Sequence, residues 1–310
     1  MLNCTEPSPV SFNEMFVSAR AYLVGHSYYT QTMAEQIIRT IDVRGTSLSR
    51  AELLETVPRA QMGVSQAEEL VAPILEAVKT RGAAALRDYA EKFDHVRPRN
   101  LRVPVEAMQH ALDTLEPHVR AAIEESVSRI RAVCQSQVPQ DFSTPLADGA
   151  RVSQRWIPVE RVGLYVPGGK AVYPTSVIMN AVPAQAAGVE SLAIATPPCA
   201  DNPDGLPNAT ILATCAILGV EEVYAVGGAQ AVAMFAYGAK GSEPQDGEVL
   251  CEPVDMITGP GNIFVATAKH MISGVCGIAF NGSSQVSGAA FISSPSYSRY
   301  PVYVGESVIC

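Results

Sequence analysis

Apolar runs alternate with helical patterns through the second half of the chain. The run Arg161–Val166 is apolar at nearly every position, which is typical of a central strand covered on both faces. The later predicted strands are Ser191–Thr196, Glu222–Val226 and Val254–Thr258, and the predicted helices between and after them are Thr175–Gly188, Asn208–Leu218, Gln230–Tyr237 and Asn262–Ser273. Such alternation predicts an α/β fold, with a parallel sheet, right-handed crossovers and flanking helices.

A helical region is predicted before the sheet. Serine precedes glutamate by three residues at Ser49–Glu52 and Ser65–Glu68, the spacing of a capping box that starts a helix. The face predicted to be buried on the second helix comprises Leu70, Ile74, Leu75 and Val78. This helix is expected to end near Gly82, and a short helix through Phe93 is expected to follow. Two more helices are predicted between Val105 and Gln135, separated at Pro117.

The chain is predicted to have four regions. Residues 1–36 mix Pro, Ser, Asn and Tyr without a period, so they are interpreted as disordered or as a non-native extension. Residues 37–149 form the helical region, and residues 150–278 form the sheet domain, which starts with a polar strand at Arg151–Ile157. Residues 279–310 are a divergent Ser-rich tail that shows no helical period and is not expected to continue the sheet.

Composition favours a soluble globular protein that acts on small molecules. Hydrophobic residues make up 47% of the chain and charged residues 17%, yet no run approaches the ~20 apolar residues of a membrane span. The net charge of −9 argues against a nucleic-acid surface, which needs clustered Lys and Arg. The seven cysteines are dispersed without a C-x-x-C pair, which indicates reduced thiols and a cytoplasmic protein.

Three predicted strands run into glycine turns that precede helices. These turns are Pro167-Gly168-Gly169, Gly227-Gly228 and Gly259-Pro260-Gly261. Glycine lets backbone N–H groups approach a ligand at the positive end of the next helix, which suits phosphate or pyrophosphate. The alternative is that these glycines only make the turns that α/β folds need. Three turns at one sheet edge favour a ligand site, because ligands bind at the carboxyl ends of parallel strands.

Three polar side chains at these turns are candidate binding residues. The usual dinucleotide fingerprint, G-x-G-x-x-G with an acid after the second strand, is absent, because the second strand ends in Thr196-Pro197-Pro198. Tyr165, Gln230 and Asn262 would have to replace it, the phenol by stacking or hydrogen bonding and the amides as donors and acceptors. Alternatively, Tyr165 is an aromatic of a buried strand, and the two amides cap helices or face solvent.

Four long motifs resemble the histidinol dehydrogenase family, and in particular its actinobacterial form. They are Val162-Gly163-Leu164-Tyr165-Val166-Pro167-Gly168-Gly169, Val182-Pro183-Ala184-Gln185-Ala186-Ala187-Gly188, Val226-Gly227-Gly228-Ala229-Gln230-Ala231 and Thr258-Gly259-Pro260-Gly261-Asn262. The resemblance covers about Ile37 to Ile278. It implies a Rossmann-like fold, so residues 150–278 would be an incomplete Rossmann-like NAD-binding domain.

The resemblance also implies an activity. Family members are NAD- and zinc-dependent homodimers that oxidise L-histidinol to L-histidine through L-histidinaldehyde, the last steps of histidine biosynthesis. The family's NAD contacts fall on Tyr165, Gln230 and Asn262.

No catalytic or metal-binding residue of the family can be assigned in this chain. Family-like sequence stops after Ile278, and no histidine follows His270, so the zinc histidines and the catalytic base are expected to be missing. Alcohol oxidation needs a base for the hydroxyl proton, so the chain alone is expected to be an inactive, truncated form with a foreign tail. The alternatives are a non-catalytic NAD-binding or dimerising module and an unstable product. His95, His110 and His118 are isolated and are expected to be solvated or packed.

Overall fold

The computed structural model describes residues 41–56, 64–168, 172–279 and 306–309. The chain divides into two compact units, Met1–Gln61 and Met62–Cys310. In the first unit, helix α1 (Arg50–Thr56) starts with the predicted capping box: Ser49 N–H donates to Glu52 Oε2 (2.8 Å), and Glu52 N–H donates to Ser49 Oγ (3.3 Å). The predicted disorder or extension at residues 1–36 lies outside the described residues.

The second unit holds eight helices longer than one turn and ten strands within its described residues. The helices are α2 (Val64–Arg81), α3 (Ala83–Asp94), α4 (Val105–Asp113), α5 (Pro117–Gln137), α6 (Pro174–Ala186), α7 (Ala209–Ile217), α8 (Gly228–Tyr237) and α9 (Ile263–Met271). The strands are β1 (Phe142–Ala147), β2 (Ala150–Arg155), β3 (Arg161–Tyr165), β4 (Ser191–Thr196), β5 (Glu222–Ala225), β6 (Ala239–Lys240), β7 (Val249–Cys251), β8 (Met256–Thr258), β9 (Gly277–Ile278) and β10 (Glu306–Ile309).

Five parallel strands form the central sheet in the order β5-β4-β3-β8-β9. Helices α6 and α7 connect β3 to β4 and β4 to β5, after which the chain returns to the other side of β3 to form β8. This reversal is the point where open α/β sheets place a ligand crevice. The predicted fold class is therefore confirmed, and β9 adds a fifth strand that was not predicted because it has only two residues.

Helices cover both faces of this sheet because the strand residues alternate between two cores. One core contains Tyr165, Tyr224 and Ile257 together with buried residues of α2, α3, α8 and α9. The other contains Leu164 and Ile194 together with buried residues of α4, α5, α6 and α7. Successive strand residues point to opposite faces, so each apolar strand contributes to both cores. Helices α2 to α5, which precede the parallel sheet in the chain, thus supply part of the helical layer on each face.

Two details of the prediction for α2 were wrong. The helix begins at Val64, so Ser65 lies within it and is not the residue before the first turn. Leu70 was predicted to be buried, but it is 58% exposed, whereas Val71 is fully buried. The buried stripe follows Val71, Leu75 and Val78 at the i, i+4, i+7 spacing of one helix face, and Leu70 lies about 100° away from it.

The described residues also form two smaller sheets. Strands β1 and β2 form an antiparallel hairpin, and the backbone of β10 pairs with the free edge of β2. The Ser-rich tail thus contributes a strand, but not to the parallel sheet, and residues 280–305 lie outside the described residues. Strands β6 and β7 form a hairpin with a turn of 3₁₀ helix between them. No helix in the described ranges is both long and apolar enough to cross a membrane.

Candidate functional site

A pocket of about 890 Å³ lies at the carboxyl ends of the parallel strands. Its wall includes all three side chains that the sequence indicated, Tyr165, Gln230 and Asn262. The remaining wall comes from α2, α3, the segment after β3, the segment after β4 and the starts of α7, α8 and α9. This volume is within the range of small-molecule and cofactor pockets.

Tyr165 is the last residue of β3, and its side chain is 4% exposed. The backbone N–H of Gly228, at the start of α8, donates to the Tyr165 hydroxyl (3.1 Å). Burial raises the pKa of Tyr165 to about 12, so the phenol keeps its proton at neutral pH. Since its oxygen accepts from Gly228, its hydrogen is left to donate. One of the turn amides expected to face a phosphate therefore serves to orient the phenol instead.

Gln230 lies in the first turn of α8 and is 2% exposed, so it does not face solvent. It does not cap the helix either, because the residue before the first turn is Gly227 and no side chain caps α8. Within the described residues its amide makes no hydrogen bond. Gly228 has φ +60°, and a Cβ there would lie 2.7 Å from Gln230 Oε1, so the second glycine turn makes room for this amide.

Asn262 caps α9, as the alternative interpretation of this residue supposed. Its Oδ1 accepts hydrogen bonds from the N–H groups of Phe264 (3.1 Å) and Val265 (3.2 Å). Because the carbonyl end of the amide is used in this way, the Nδ2 group is the part left for a ligand. A cap and a ligand contact are therefore compatible in one side chain.

The third glycine turn packs directly on β3. Gly259 has φ +110°, and a Cβ at this position would lie 2.1 Å from the backbone oxygen of Tyr165. The buried Lys269 on α9 donates from Nζ to the Gly259 carbonyl (2.5 Å), and burial lowers the pKa of this amine to about 8. These contacts fix the position of the turn that leads to Asn262.

The first glycine turn differs from the other two. Gly168 lines the pocket, but α6 begins only at Pro174, and residues 169–171 lie outside the described residues. Val172 and Tyr173, just before α6, are partly exposed at the pocket wall. The turn after β3 is thus followed by a loop before the helix starts.

The sequence did not indicate the part of the pocket wall that comes from α2 and α3. Leu70, Tyr89, Phe93 and Asp94 line the pocket from these helices. Asp94 ends α3, since His95 has φ +59° and stops the helix. Burial raises the pKa of the Asp94 carboxyl to about 6. Nothing in the spacing of these residues signals a site, because only the packing of the helices brings them to the strand ends.

The histidines and candidate metal ligands of the described residues form no site. His95, His110 and His118 are exposed, in agreement with the prediction, and none of them lines the pocket. Among the described residues, no three His, Cys, Asp or Glu side chains lie close enough together to hold a metal ion. The residues described here do not fit a zinc ion, so no chemical step is assigned to one.

Comparison with known proteins gives a consistent result. The family model for histidinol dehydrogenase matches residues 57–289. Histidinol dehydrogenase of Bifidobacterium longum is 76% identical over 246 residues, which are 79% of this chain and 52% of that protein. Histidinol dehydrogenase of Thermobifida fusca is 54% identical over 242 residues, 78% of this chain and 52% of that protein.

A solved structure supports the same relationship. The crystal structure of histidinol dehydrogenase from Elizabethkingia anophelis superposes with a TM-score of 0.66 at 26% identity, over 76% of this chain and 52% of that chain. The chain spans about half the length of the curated relatives it matches. With a family model matching most of its length and the expected parallel sheet in place, the chain belongs to the histidinol dehydrogenase family.

Proposed function

We propose that this chain binds NAD in the pocket at the strand ends, as the cofactor-binding part of an enzyme that oxidises L-histidinol to L-histidine through L-histidinaldehyde. The observation that carries the proposal is that Tyr165, Gln230 and Asn262, taken from three separate elements, line one pocket of a family member. The N-termini of α8 and α9 lie at the same pocket, and their partial positive charge favours a pyrophosphate.

The hydrogen-bonding groups at the pocket suit a dinucleotide. The N–H groups of Ala229 and Gln230 precede the first intrahelical bond of α8, which Ala231 N–H makes to Gly227 O (3.2 Å). They are candidate donors to phosphate oxygens. The Tyr165 hydroxyl and the Asn262 Nδ2 group add two donors, and the Gln230 amide adds a donor and an acceptor. Bound NAD would supply the hydride acceptor for the alcohol.

We further propose that the 310-residue chain by itself forms no NADH from L-histidinol. Oxidation of a primary alcohol needs a base close to the hydroxyl proton. Among the described residues, no histidine lies at the pocket. In this form the chain would act as an NAD-binding module, and homodimerisation, which the family implies, is a proposal to be tested by sedimentation.

Replacing Gln230 with Ala is expected to weaken NADH binding about 10-fold or more. The substitution removes a buried amide and leaves a gap where the ligand would contact it, at a cost of about 1–2 kcal/mol. Calorimetric titration of the purified chain with NADH measures the change. Gln109→Ala is the matched control, because Gln109 is exposed on α4 and bonds only Asp113 among the described residues.

Two results of these assays would contradict the proposals separately. An unsaturable titration of the unmodified chain, or equal affinities in both glutamine variants, would contradict NAD binding at this pocket. NADH formation from L-histidinol, NAD and zinc by the 310-residue chain would contradict the proposed inactivity and leave the binding proposal standing. Saturable binding without turnover is the expected pair of results.

A further inference from the structure

The Asp94 carboxyl has a buried oxygen without a partner. Its Oδ2 is inaccessible to solvent and accepts no hydrogen bond from any described residue. Asp94 forms no ion pair within the same residues either, although His95 is its neighbour in the chain and Lys92 lines the same pocket. A buried carboxylate oxygen without a donor costs free energy, and such exceptions in folded proteins call for a specific cause.

The position of Asp94 relates this oxygen to the pocket. Asp94 lines the pocket together with Tyr165, and its charge contributes to the raised pKa of the Tyr165 phenol, so the two groups are near each other. The neighbouring Phe93 and Tyr89 rings stack with their centroids 5.6 Å apart and line the pocket as well. A carboxylate beside apolar rings in a pocket is suited to a ligand that has both hydroxyl groups and flat, apolar parts.

The central sheet lacks an acid where dinucleotide folds have one. In those folds, an Asp or Glu at the end of the second strand accepts hydrogen bonds from a ribose. Here β4 ends at Thr196, Pro197 and Pro198 follow, and the first acid after it is the exposed Asp201. The pocket therefore has a partly buried acid on α3, whereas the sequence provides none at the strand end.

We infer that Asp94 is a cofactor-binding residue whose carboxylate accepts hydrogen bonds from ribose hydroxyls of the bound dinucleotide, in place of the acid missing after β4. This assignment deepens the proposed NAD binding and rests on it. Neither oxygen of the Asp94 carboxylate accepts a hydrogen bond within the described residues, so ribose hydroxyls in the pocket would supply donors that it lacks, and a neighbouring pair of hydroxyls matches the two oxygens of a carboxylate. The helical region before the sheet thus contributes a ligand contact and does not serve only as a scaffold.

Asp94→Asn tests the assignment, because it keeps the shape and removes the charge. We expect calorimetric NADH affinity to fall about 10-fold or more, while the Tm of the unliganded chain at pH 7.5 stays the same or rises, since a partly buried charge without a hydrogen-bond donor is removed. A residue with a purely structural role would lose stability and affinity together. Asp201→Asn, which neutralises an exposed acid of the pocket wall, is expected to lose less affinity than Asp94→Asn.

Titrations with the two halves of the dinucleotide, AMP and NMN, identify which ribose Asp94 contacts. AMP and NMN are titrated into the unmodified chain and into Asp94→Asn, and a loss of affinity for either one supports the assignment and names the ribose involved. Unchanged affinity for NADH and for both halves in Asp94→Asn would overturn it, as would a larger loss in Asp201→Asn. If the unmodified chain binds NADH and Gln230→Ala does not, while Asp94→Asn binds normally, the assignment of Asp94 fails and the proposed NAD binding stands.

The pH dependence of binding gives a second measurement. Because the ribose donors prefer the ionised carboxylate, affinity should be full well above pH 6 and fall as the pH drops through about 6, where Asp94 becomes protonated. Between pH 7.5 and pH 5 we expect about a 10-fold loss for the unmodified chain. The other ionisable groups at the pocket wall or next to Asp94 among the described residues are Glu69, Tyr89, Lys92, His95, Tyr165, Tyr173, Cys199 and Asp201. A similar loss in Asp94→Asn would assign the effect to one of them and contradict the role of Asp94.

Discussion

Replacing Asp246 with Ala is expected to destabilise the protein by about 3 kcal/mol, because the buried Arg87 guanidinium loses its main partner and keeps only Glu243 at 3.4 Å and Ser242 Oγ at 3.0 Å among the described residues. Arg87 on α3 and Asp246 in the β6–β7 hairpin each have side chains that are 1% exposed. They form a bidentate ion pair, in which Arg87 Nη1 donates to Asp246 Oδ2 (2.8 Å) and Arg87 Nη2 donates to Asp246 Oδ1 (2.6 Å). The Asp246 carboxylate also accepts from the N–H groups of Ser242 and Glu243, both at 3.0 Å.

The pKa of Asp246 gives the pH dependence of this contribution. Burial by itself would raise the pKa, but the hydrogen bonds from Arg87 and from the two backbone amides hold it below its ordinary value. A carboxyl with a lowered pKa stabilises the fold above its pKa in the unfolded chain, and that stability is lost as the pH falls toward its folded value. The stability difference between the unmodified chain and Asp246→Ala should therefore be full at pH 7 and shrink in acid.

Urea denaturation measures the loss, and a second ion pair of α3 provides the control. The Asp88 carboxylate lies 2.7 Å from Arg81 Nη1 and 3.6 Å from Arg97 Nη1, but all three side chains are about half exposed, so Asp88→Ala should cost less than about 1 kcal/mol. Equal losses in Asp246→Ala and Asp88→Ala would show that burial does not govern these pairs. The Arg87 pair matters for the pocket because α3 carries Tyr89, Phe93 and Asp94 on the same helix.

The sequence predicted the sheet well because its strands are encoded locally. Each strand is a short apolar run next to a turn, so β4 was predicted with its observed bounds and β3 to within one residue. Element ends were less accurate: β8 begins at Met256 and not at Val254, since a strand end depends on which residues find a partner strand.

The three polar side chains of the pocket could also be predicted from the sequence. Parallel strands end at one edge of a sheet, so residues that follow them in the chain are brought together by topology alone. Tyr165, Gln230 and Asn262 line one pocket for this reason. Their individual contacts were not predictable, because the bond from Gly228 N–H to the Tyr165 hydroxyl joins residues 63 positions apart.

Contacts made by the first helices depend on long-range packing and left no sequence signal. The Arg87–Asp246 pair joins residues 159 positions apart, and Asp94 reaches the pocket only because α2 and α3 pack on the sheet beside α8 and α9. An amphipathic pattern shows that a helix has a buried face but not what lies opposite its ends. The exposed Leu70 illustrates this limit, since an apolar residue next to the core stripe lines the pocket instead.

Gly259→Ala is expected to destabilise the protein by about 3–5 kcal/mol and to abolish measurable NADH binding. At φ +110°, any side chain carries a backbone strain of about 1–2 kcal/mol, and forcing a methyl group into a filled space costs about 1–3 kcal/mol more. The added Cβ would lie 2.1 Å from the backbone oxygen and 2.9 Å from the backbone nitrogen of Tyr165. These are backbone atoms of a central strand, so relief requires β3 and the turn to move apart.

Gly219→Ala separates the two contributions. Gly219 also has a positive φ, +69°, but nothing lies within 4 Å of the position of its Cβ, so its substitution should cost only the backbone strain of about 1–2 kcal/mol and leave NADH binding unchanged. Urea denaturation of both variants gives the stabilities, and calorimetry on the folded proteins gives the affinities. Equal losses of stability in the two variants would mean that β3 and the Gly259 turn can move apart at little cost in free energy. Relief of the clash has to displace either Tyr165 or the Gly259 turn. Normal NADH binding by a destabilised Gly259→Ala would therefore show that NADH binding does not depend on the position of Tyr165 relative to this turn.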